Sequence, residues 1–309
     1  MIIYEKIPKL KNTAVALGCF EGVHLGHQQV INNAISSKSD LLYSVILSFS
    51  DDIPYKSDSR HIITFDDKCR IFSDMGADSL IIPTFSSISE YSPEDFFKEI
   101  LISRLDAKLI TCGENYHFGK YAAGDTDKLR SLCREYGVDC KVISPVKFDG
   151  EIISSSRIRR ELSNGNMKAV EKMLGRLFSY DFEVVSGRHL GRTLGTPTIN
   201  QYFPENFVIP MYGVYASVTE INGRCYHSVT NIGVKPTVGS DKPLSETWIP
   251  EFSGDLYGRR IRVSLVQYMR GEHKFASVEE LKQAILQDGV NSKSLTANYV
   301  GEGGSKYGI

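Results

Sequence analysis

The segment Gly18-Cys19-Phe20-Glu21-Gly22-Val23-His24-Leu25-Gly26-His27 decides how the first half of this chain folds. The apolar residues 14–17 before it predict a short buried strand, and apolar residues recur with helical spacing over residues 30–35 after it. A strand, a glycine-rich turn and a helix in this order direct backbone N–H groups and a helix N-terminus at one point, which suits a phosphate. Glycines such as Gly18 and Gly26 let a ligand approach the backbone closely.

Two histidines lie at the start of the predicted helix. His24 and His27 are three residues apart, so both imidazoles can reach the same anion from one side of the helix. The turn therefore predicts a phosphate site with two imidazoles and without the lysine of a P-loop. A histidine beside a glycine turn is also commonly an ordinary polar residue, and the pattern alone leaves that alternative open.

Length and composition narrow the class of protein. A chain of 309 residues is long enough for two domains, and 41% hydrophobic with 24% charged residues is typical of a globular protein. The net charge of −1 gives no basic field for nucleic acid. The six cysteines show no C-x-x-C pair, which indicates reduced thiols, and we see neither a secretory signal nor a membrane span. We expect a cytoplasmic protein with small-molecule partners, no nucleic acid and no membrane.

The first half alternates predicted strands and helices. Strands are predicted near residues 43–49, 80–82, 108–112 and 141–146, and helices near residues 64–75, 93–105 and 127–136. Ser92 before Pro93 marks one helix start. This alternation predicts a parallel sheet covered by helices, in which ligands bind at the carboxyl ends of the strands.

The pattern changes near residue 177, where short strands and tight turns begin. Residues 214–221 and 225–232 flank Asn222-Gly223, a strong hairpin signal, and residues 259–268 predict another strand. A capping box at Ser277 begins a helix that we expect to end near Gln287, with fraying from Asn291 onward. This half predicts a small antiparallel barrel closed by a C-terminal helix. The predicted domains are residues 1–176 and 183–290, followed by a polar tail at 291–309.

Three further segments carry groups suited to nucleotides. Residues 113–119 (GENYHFG) follow a predicted strand, and residues 153–159 (ISSSRIR) place hydroxyls and arginines at a helix start. Residues 187–200 (GRHLGRTLGTPTIN) form a glycine-punctuated loop, after which the Thr198 hydroxyl and the Asn200 amide oxygen can ligate Mg²⁺. Taken singly, these segments also read as an aromatic loop, a capped basic helix and a string of turns.

Together these motifs resemble the HxGH nucleotidyltransferases and, within them, the bifunctional riboflavin kinase/FAD synthetase family. The resemblance extends over residues 10–290. It implies a Rossmann-like N-terminal nucleotidyltransferase domain with a parallel sheet and a C-terminal riboflavin kinase-like β-barrel. It also implies two reactions, phosphorylation of riboflavin to FMN in the C-terminal domain and adenylylation of FMN to FAD, with release of pyrophosphate, in the N-terminal domain. ATP and Mg²⁺ are the implied cofactors, and riboflavin, FMN and FAD are substrates and products.

The resemblance also assigns roles to individual residues. Glu246 is implied as the catalytic base of the kinase, and His24 and His27 as the residues that act on the ATP phosphates of the adenylyltransferase. The implied nucleotide-binding residues of the adenylyltransferase are Gly18, Phe20, Gly26, Asn115, Ser154, Ser155, Ser156 and Arg159. Those of the kinase are Gly187, Gly191, Arg192, Gly195, Pro197 and Asn231, with Trp248, Tyr257 and Arg270 at the flavin and Thr198 and Asn200 at the metal.

Some residues depart from the family pattern. The family's F-x-P-H-P segment corresponds here to residues 49–54 (FSDDIP), which lack the histidine. Glu21 replaces the usual Asp, Ser156 the usual Thr, Thr196 an aromatic residue and Trp248 a histidine. The missing histidine keeps a second hypothesis open, a riboflavin kinase whose N-terminal half is weak or inactive. A third hypothesis is a non-catalytic flavin-binding protein.

Overall fold

The computed structural model describes residues 1–37, 39, 42–49, 60–186, 196–234 and 242–301. By its internal contacts the chain divides into two compact units. The first comprises Met1–Ser59 and Phe65–Ser154, and the second comprises Arg60–Thr64 and Ser155–Ile309. The predicted domain limits at residues 176, 183 and 290 remain a prediction.

The first unit is built on a six-stranded parallel sheet with the strand order β1-β4-β3-β2-β5-β6. This confirms the predicted parallel sheet. Its strands are β1 (Ile2–Tyr4), β2 (Thr13–Leu17), β3 (Tyr43–Leu47), β4 (Ser79–Ile81), β5 (Ala107–Gly113) and β6 (Asp139–Ile143). Its helices are α1 (Leu25–Ile35), α2 (Phe65–Asp74), α3 (Pro93–Asp95, continued by a π-helix over Phe96–Arg104) and α4 (Thr126–Tyr136). A two-stranded pair, β7 (Lys147–Phe148) and β8 (Glu151–Ile152), follows.

Local sequence explains the helix starts of this unit. The Ser92 hydroxyl accepts a hydrogen bond from the Asp95 N–H and Pro93 occupies the first helical position, so the cap predicted there is confirmed. Asp125 caps α4 in the same way by accepting from the Lys128 N–H. Every residue of β2 is buried, and the apolar face of the π-helix packs into the same core. The glycine-rich segment thus directly follows β2, a buried strand that lies between β3 and β5 in the sheet.

The second unit is an antiparallel sheet with helices against it. Its helices are α5 (Ser155–Ser163), α6 (Met167–Leu174) and α7 (Val278–Leu295), and its strands are β9 (Phe178–Glu183), β10 (Thr198–Tyr202), β11 (Gly213–Ile221), β12 (Arg224–Val234), β13 (Pro243–Trp248) and β14 (Arg260–Arg270). The strand order is β10-β13-β12-β11-β14-β9. The sheet curls so that an antiparallel bridge joins Val185, just beyond β9, to Asn200 of the other edge strand. The predicted antiparallel architecture with a C-terminal helix is confirmed.

The predicted hairpin turn is confirmed in its backbone conformation. Asn222 and Gly223 have φ values of 53° and 78°, and they join Ile221 of β11 to Arg224 of β12. Two consecutive positive φ angles match the twist of the flanking strands, which is the reason Asn-Gly is favoured here.

Buried hydroxyl groups connect three strands of the curled sheet, and a buried amide connects the other three. Ser217 Oγ lies 2.8 Å from both Ser228 Oγ and Thr230 Oγ1, and Thr230 Oγ1 lies 2.9 Å from Thr247 Oγ1. Gln201 Nε2 donates to the backbone oxygens of Phe182 and Ile261 at 2.6 and 2.8 Å. Because buried polar groups require partners, these side chains specify how the strands align.

The end of the C-terminal helix differs from the sequence expectation. We expected α7 to end near Gln287 and the chain to fray from Asn291, but the helix continues to Leu295. Ser292 Oγ donates to the Ser228 carbonyl oxygen at 2.6 Å, and Thr296 Oγ1 lies 2.6 Å from His227 Nδ1. The expectation was wrong because polar residues here are anchored by hydrogen bonds to β12, which composition does not reveal.

Replacing the buried serine of α7 should weaken the second unit. In Ser292→Val the Ser228 carbonyl loses its hydrogen bond from Ser292, so we expect the free energy of unfolding to fall by about 1–3 kcal/mol. Denaturant unfolding monitored by the fluorescence of Trp248, the single tryptophan, measures this unit directly. Ser294→Val at an exposed position of the same helix is the matched control. Equal stability of the two variants would contradict the anchoring role.

Candidate active sites

The glycine-rich turn between β2 and α1 has an unusual backbone. Phe20, Gly22 and Val23 have φ values of 50°, 75° and 40°. Two of these residues carry side chains, and positive φ is costly for them, so the surrounding structure must hold the turn in this shape. At Gly18 an added Cβ would come within 2.9 Å of the Phe20 ring, which explains the glycine. The predicted strand, turn and helix are present in the predicted order.

His24 and His27 lie against each other at the start of α1. Their ring centroids are 3.6 Å apart with an interplanar angle of 20°, so the rings are stacked. The His24 ring caps the helix, because its Nδ1 accepts from the His27 N–H at 3.4 Å. The His27 ring also packs edge-on against the Phe20 ring, with centroids 5.5 Å apart and an interplanar angle of 86°. A Cβ on Gly26 would be 3.2 Å from the His24 ring.

The electrostatics of this turn keep His27 uncharged. Burial lowers the pKa of His27 well below 6.5, and the neighbouring His24 and Lys68 side chains lower it further. A hydrogen bond to the Glu21 backbone acts in the opposite direction, but its effect is smaller. Within the described part of the chain, the buried Nδ1 of His27 has no hydrogen-bond partner. The ring is thus a neutral group with unused hydrogen-bonding capacity.

Asn115 lies at the same edge of the sheet as the turn. It follows the carboxyl end of β5, which pairs in parallel with β2, so both segments leave the sheet on the same side. Its side chain folds back over Gly113, where an added Cβ would be 3.2 Å from Asn115 Oδ1. The side chain is exposed, in keeping with a position that meets ligand. Its role in nucleotide binding remains a prediction.

The serine- and arginine-rich segment divides between the two units. Ser154 ends the first unit, whereas Ser155, Ser156 and Arg159 lie on α5 in the second. Arg159 is almost fully buried, and its Nε donates to the Arg60 carbonyl oxygen at 2.7 Å. The predicted phosphate contacts of these residues remain predictions.

One functional candidate of the turn was missed by sequence reasoning. Lys68, on α2, is buried and donates from Nζ to the Cys19 carbonyl oxygen at 2.8 Å. The stretch Asp66-Asp67-Lys68 indicated only an acidic first helical turn. No local pattern marks this lysine, because its place beside Cys19 results from how α2 packs.

The register of the antiparallel sheet aligns three predicted kinase residues. Glu246 of β13 is paired directly with Asn200 of β10 on one side and with Asn231 of β12 on the other. Directly paired residues share a face of the sheet, so the carboxylate and the two amides form a row. Thr198 and Trp248 pair with each other two residues further along the same strands, and therefore lie on the same face.

The donor set of this row suits Mg²⁺. The hydroxyl oxygen of Thr198 and the amide oxygen of Asn200 are hard ligands of the kind that Mg²⁺ prefers. Asn200 is held in place because its backbone oxygen accepts from the Val185 N–H at 2.8 Å and its side chain is largely buried. Across the described ranges there is no cluster of three His, Cys, Asp or Glu residues that could hold a metal ion.

The glycine-rich loop predicted to cover ATP cannot be placed. Gly187, Gly191, Arg192 and Gly195 lie outside the described residues, and Pro197, just after them, is exposed. Of residues 49–54, which correspond to the family's F-x-P-H-P segment, all but Phe49 also lie outside the described residues.

The three predicted flavin-binding residues have different surroundings. Arg270 is held by Asp288 of α7, with Nη2–Oδ2 and Nε–Oδ1 distances of 2.7 and 3.3 Å, so its guanidinium already has a charged partner. Trp248 packs against α7 at Gly289, where an added Cβ would be 2.7 Å from the indole ring. Tyr257 is 40% exposed. Contact of these residues with flavin remains a prediction.

The depressed pKa of His27 can be measured directly. We expect its imidazole resonance to titrate with a midpoint below 6.5 in proton NMR, the resonance being assigned by its loss in His27→Gln. Since the folded state resists protonation of this ring, His27 does not affect stability well above pH 6.5 and destabilises the protein as the pH falls below it. A midpoint at or above 6.5 would contradict the described burial.

The contact between Trp248 and α7 predicts an unusual effect of a helix substitution. Gly→Ala inside a helix normally stabilises by about 1 kcal/mol, but in Gly289→Ala the new methyl group collides with the indole. We expect lower stability and a shifted tryptophan emission maximum. Gln287→Ala, at an exposed position of α7, should leave the emission unchanged. A stabilised Gly289→Ala variant with unaltered emission would show that the ring lies elsewhere.

Comparison with known proteins gives two consecutive family matches. A model described as FAD synthetase matches residues 6–157, and one described as riboflavin kinase matches residues 174–296. A bifunctional riboflavin kinase/FMN adenylyltransferase of Buchnera aphidicola (subsp. Acyrthosiphon pisum) is 32% identical over 286 residues, which cover 90% of this chain and 91% of the relative. Proteins of the same description from Bacillus subtilis and Escherichia coli K12 are 31% and 30% identical, over 89% and 90% of this chain and 90% and 91% of the relatives.

A solved structure supports the fold over nearly the whole chain. It is a crystal structure described as a macrolide-efflux protein from Streptococcus pneumoniae, with a TM-score of 0.84, 28% identity, and coverage of 94% of this chain and 98% of that one. In the described part of the present chain, no helix is long and apolar enough to cross a membrane. On the two family matches and the extent of the curated relatives, this chain belongs to the bifunctional riboflavin kinase/FMN adenylyltransferase family.

Proposed function

We propose that this chain makes FMN from riboflavin and then FAD from FMN, using one ATP in each reaction. The second unit transfers the γ-phosphoryl group of ATP to the ribityl 5′-hydroxyl of riboflavin. The first unit joins the FMN phosphate to the adenylyl group of a second ATP and releases pyrophosphate. The observation that carries the first reaction is the row formed by Asn200, Glu246 and Asn231, and the stacked His24–His27 pair supports the second.

In the kinase reaction Glu246 acts on the attacking hydroxyl. A carboxylate beside a primary alcohol accepts a hydrogen bond from it, orients it and takes its proton as the phosphoryl group is transferred. The strand register places Glu246 between Asn200 and Asn231 on one face of the sheet. The flanking amides supply donors and acceptors for the phosphates and for the metal.

Thr198 and Asn200 would hold Mg²⁺ in this reaction. When bound, the ion offsets negative charge on the ATP phosphates. The protein's own contribution is to present a hydroxyl and an amide oxygen on the face of the sheet that also carries Glu246.

In the adenylyl transfer the two histidines act as hydrogen-bond donors to the ATP phosphates. They are held by stacking and by the helix cap, so their N–H groups need little reorganisation when charge develops. A neutral His27 donates without needing a counter-charge in the absence of substrate. Backbone N–H groups at the start of α1 add to the same anion site.

The cell's cytoplasm is the proposed location. ATP is available there, and none of the six cysteines forms a disulfide bond in the structure, as expected of a reducing compartment.

The two activities should respond independently to substitution. His27→Ala should lower FAD formation from FMN by about 10²–10³-fold and spare the kinase, because one donor to the transition state is lost. Glu246→Gln should abolish FMN formation while FAD is still made from supplied FMN. Chromatography of the flavins after incubation with MgATP measures both reactions in one sample.

Matched controls test whether the effects are specific. Glu251→Gln changes an exposed carboxylate that pairs with Lys293, and it should leave both activities intact. Loss of both activities in either active-site variant would argue against separate sites. Wild-type protein that makes FMN but no FAD would favour the kinase-only hypothesis raised by the missing histidine of residues 49–54. Formation of neither flavin would favour a non-catalytic flavin-binding protein.

A further inference from the structure

A buried lysine lies beneath the glycine-rich turn of the first unit. Lys68 is only 6% exposed, and its Nζ donates to the Cys19 carbonyl oxygen at 2.8 Å. Phe72, four residues later and hence on the same face of α2, packs edge-on against Phe20, with ring centroids 6.1 Å apart. Two contacts one helical turn apart therefore position the ammonium group at the turn that carries His24 and His27.

The charge of this lysine has no counter-charge in the described part of the chain. Its neighbour Asp67 pairs instead with Arg70, at 3.5 Å, and the one hydrogen bond found for Lys68 is to the neutral Cys19 carbonyl. Burying a cation without an anion is costly, because the desolvation penalty is not repaid. A lysine in this position is explained if an anionic ligand completes its surroundings.

The neighbouring histidine gives an independent indication of a ligand. The buried Nδ1 of His27 has no partner among the described residues, and the Lys68 charge acts on the same ring to lower its pKa. Buried polar atoms in native proteins nearly always have partners, so the unpartnered ring nitrogen marks a place for a further ligand group, and the nearby ammonium group favours an anionic one. The backbone N–H groups at the start of α1 are the other groups of this turn that can bind a ligand, and they also favour an anion.

In adenylyl transfer, a cation is needed most at the pyrophosphate leaving group. An oxygen of the FMN phosphate forms a bond to the α-phosphorus of ATP, and the bond from that phosphorus to the bridging oxygen breaks. The electron pair of the broken bond goes to the pyrophosphate, which gains negative charge. A neutral imidazole cannot balance this charge, whereas the ammonium group of a lysine can.

We propose that Lys68 binds the pyrophosphate portion of ATP and stabilises it as the leaving group of adenylyl transfer. This inference rests on the adenylyltransferase activity proposed above and adds a residue to that site. Lys68 thereby supplies the cation that the two-histidine turn lacks, from a different helix, in place of the lysine that a P-loop carries within its own loop.

The test compares three variants of the full-length protein. Lys68→Gln removes the charge but keeps an N–H donor for the Cys19 carbonyl, and Lys68→Arg keeps the charge. Lys108→Gln is the matched control, because Lys108 is an exposed lysine of the same unit, 53% exposed and paired with Asp106 at 2.6 Å. Circular dichroism and thermal unfolding check that the first unit of each variant is folded, and the kinase reaction in the same samples checks the second unit.

The reverse reaction isolates pyrophosphate binding at this site. In it, a pyrophosphate oxygen attacks the adenylyl phosphorus of FAD and FMN leaves, so that ATP is formed. We expect Lys68→Gln to raise the KM for pyrophosphate about tenfold or more and to lower forward kcat/KM about 10²–10³-fold. Lys68→Arg should retain most of the pyrophosphate affinity, and Lys108→Gln should match the wild type.

The outcomes separate charge from structure. If Lys68→Gln binds pyrophosphate as the wild type does, Lys68 only tethers Cys19 and the proposal is overturned. If Lys68→Gln does not fold, Lys68→Arg provides the test. A folded Lys68→Arg variant that no longer binds pyrophosphate would overturn the proposal, because it keeps the positive charge. Calorimetric titration with pyrophosphate needs no turnover. It still tests Lys68 should the wild type prove unable to make FAD, a result that would reject the adenylyltransferase function itself.

Discussion

The register of backbone hydrogen bonds between β10, β13 and β12 is the constraint on which the kinase half depends. It places Glu246 directly opposite Asn200 and Asn231, and all three on one face of the sheet. A slip of one residue would turn Glu246 to the opposite face, where buried hydroxyls such as those of Ser245 and Thr247 now lie. The hydroxyl network of that inner face therefore stabilises the register, because a slip of one strand would break the hydrogen bond between Thr230 and Thr247.

The helix α7 connects this register to the rest of the second unit. It contacts the sheet through hydrogen bonds to β12, through the Arg270–Asp288 ion pair and through the packing of Trp248 on Gly289. A glycine within a helix costs stability, and here it makes room for the single tryptophan of the chain. Trp248 and Arg270 thus both have structural roles, and flavin binding by either would be added to those roles.

In the first unit, the candidate site depends on a strained turn, and tertiary contacts stabilise the conformation of that turn. Positive φ angles at Phe20 and Val23 are stabilised where Phe20 is enclosed between Phe72 and His27. The same enclosure brings α2, and with it Lys68, to the turn. The strained backbone, the stacked histidines and the buried lysine therefore depend on the same packing of α2 against the turn. A helix distant in sequence thus shapes the predicted phosphate site.

Local sequence determined much of this protein: the parallel and antiparallel halves, the Ser92 cap, the Asn222-Gly223 hairpin and the presence of His24 and His27 at a strand–helix junction. These features depend on near neighbours in the chain, whose spacing is visible in the residues themselves. Only the tertiary structure decided that α7 continues to Leu295, that Arg270 is paired with Asp288, and that Lys68 lies beneath Cys19. Each of these joins residues far apart in sequence, or depends on burial, and a single side chain that reaches a distant carbonyl or carboxylate leaves no periodic signal in the sequence.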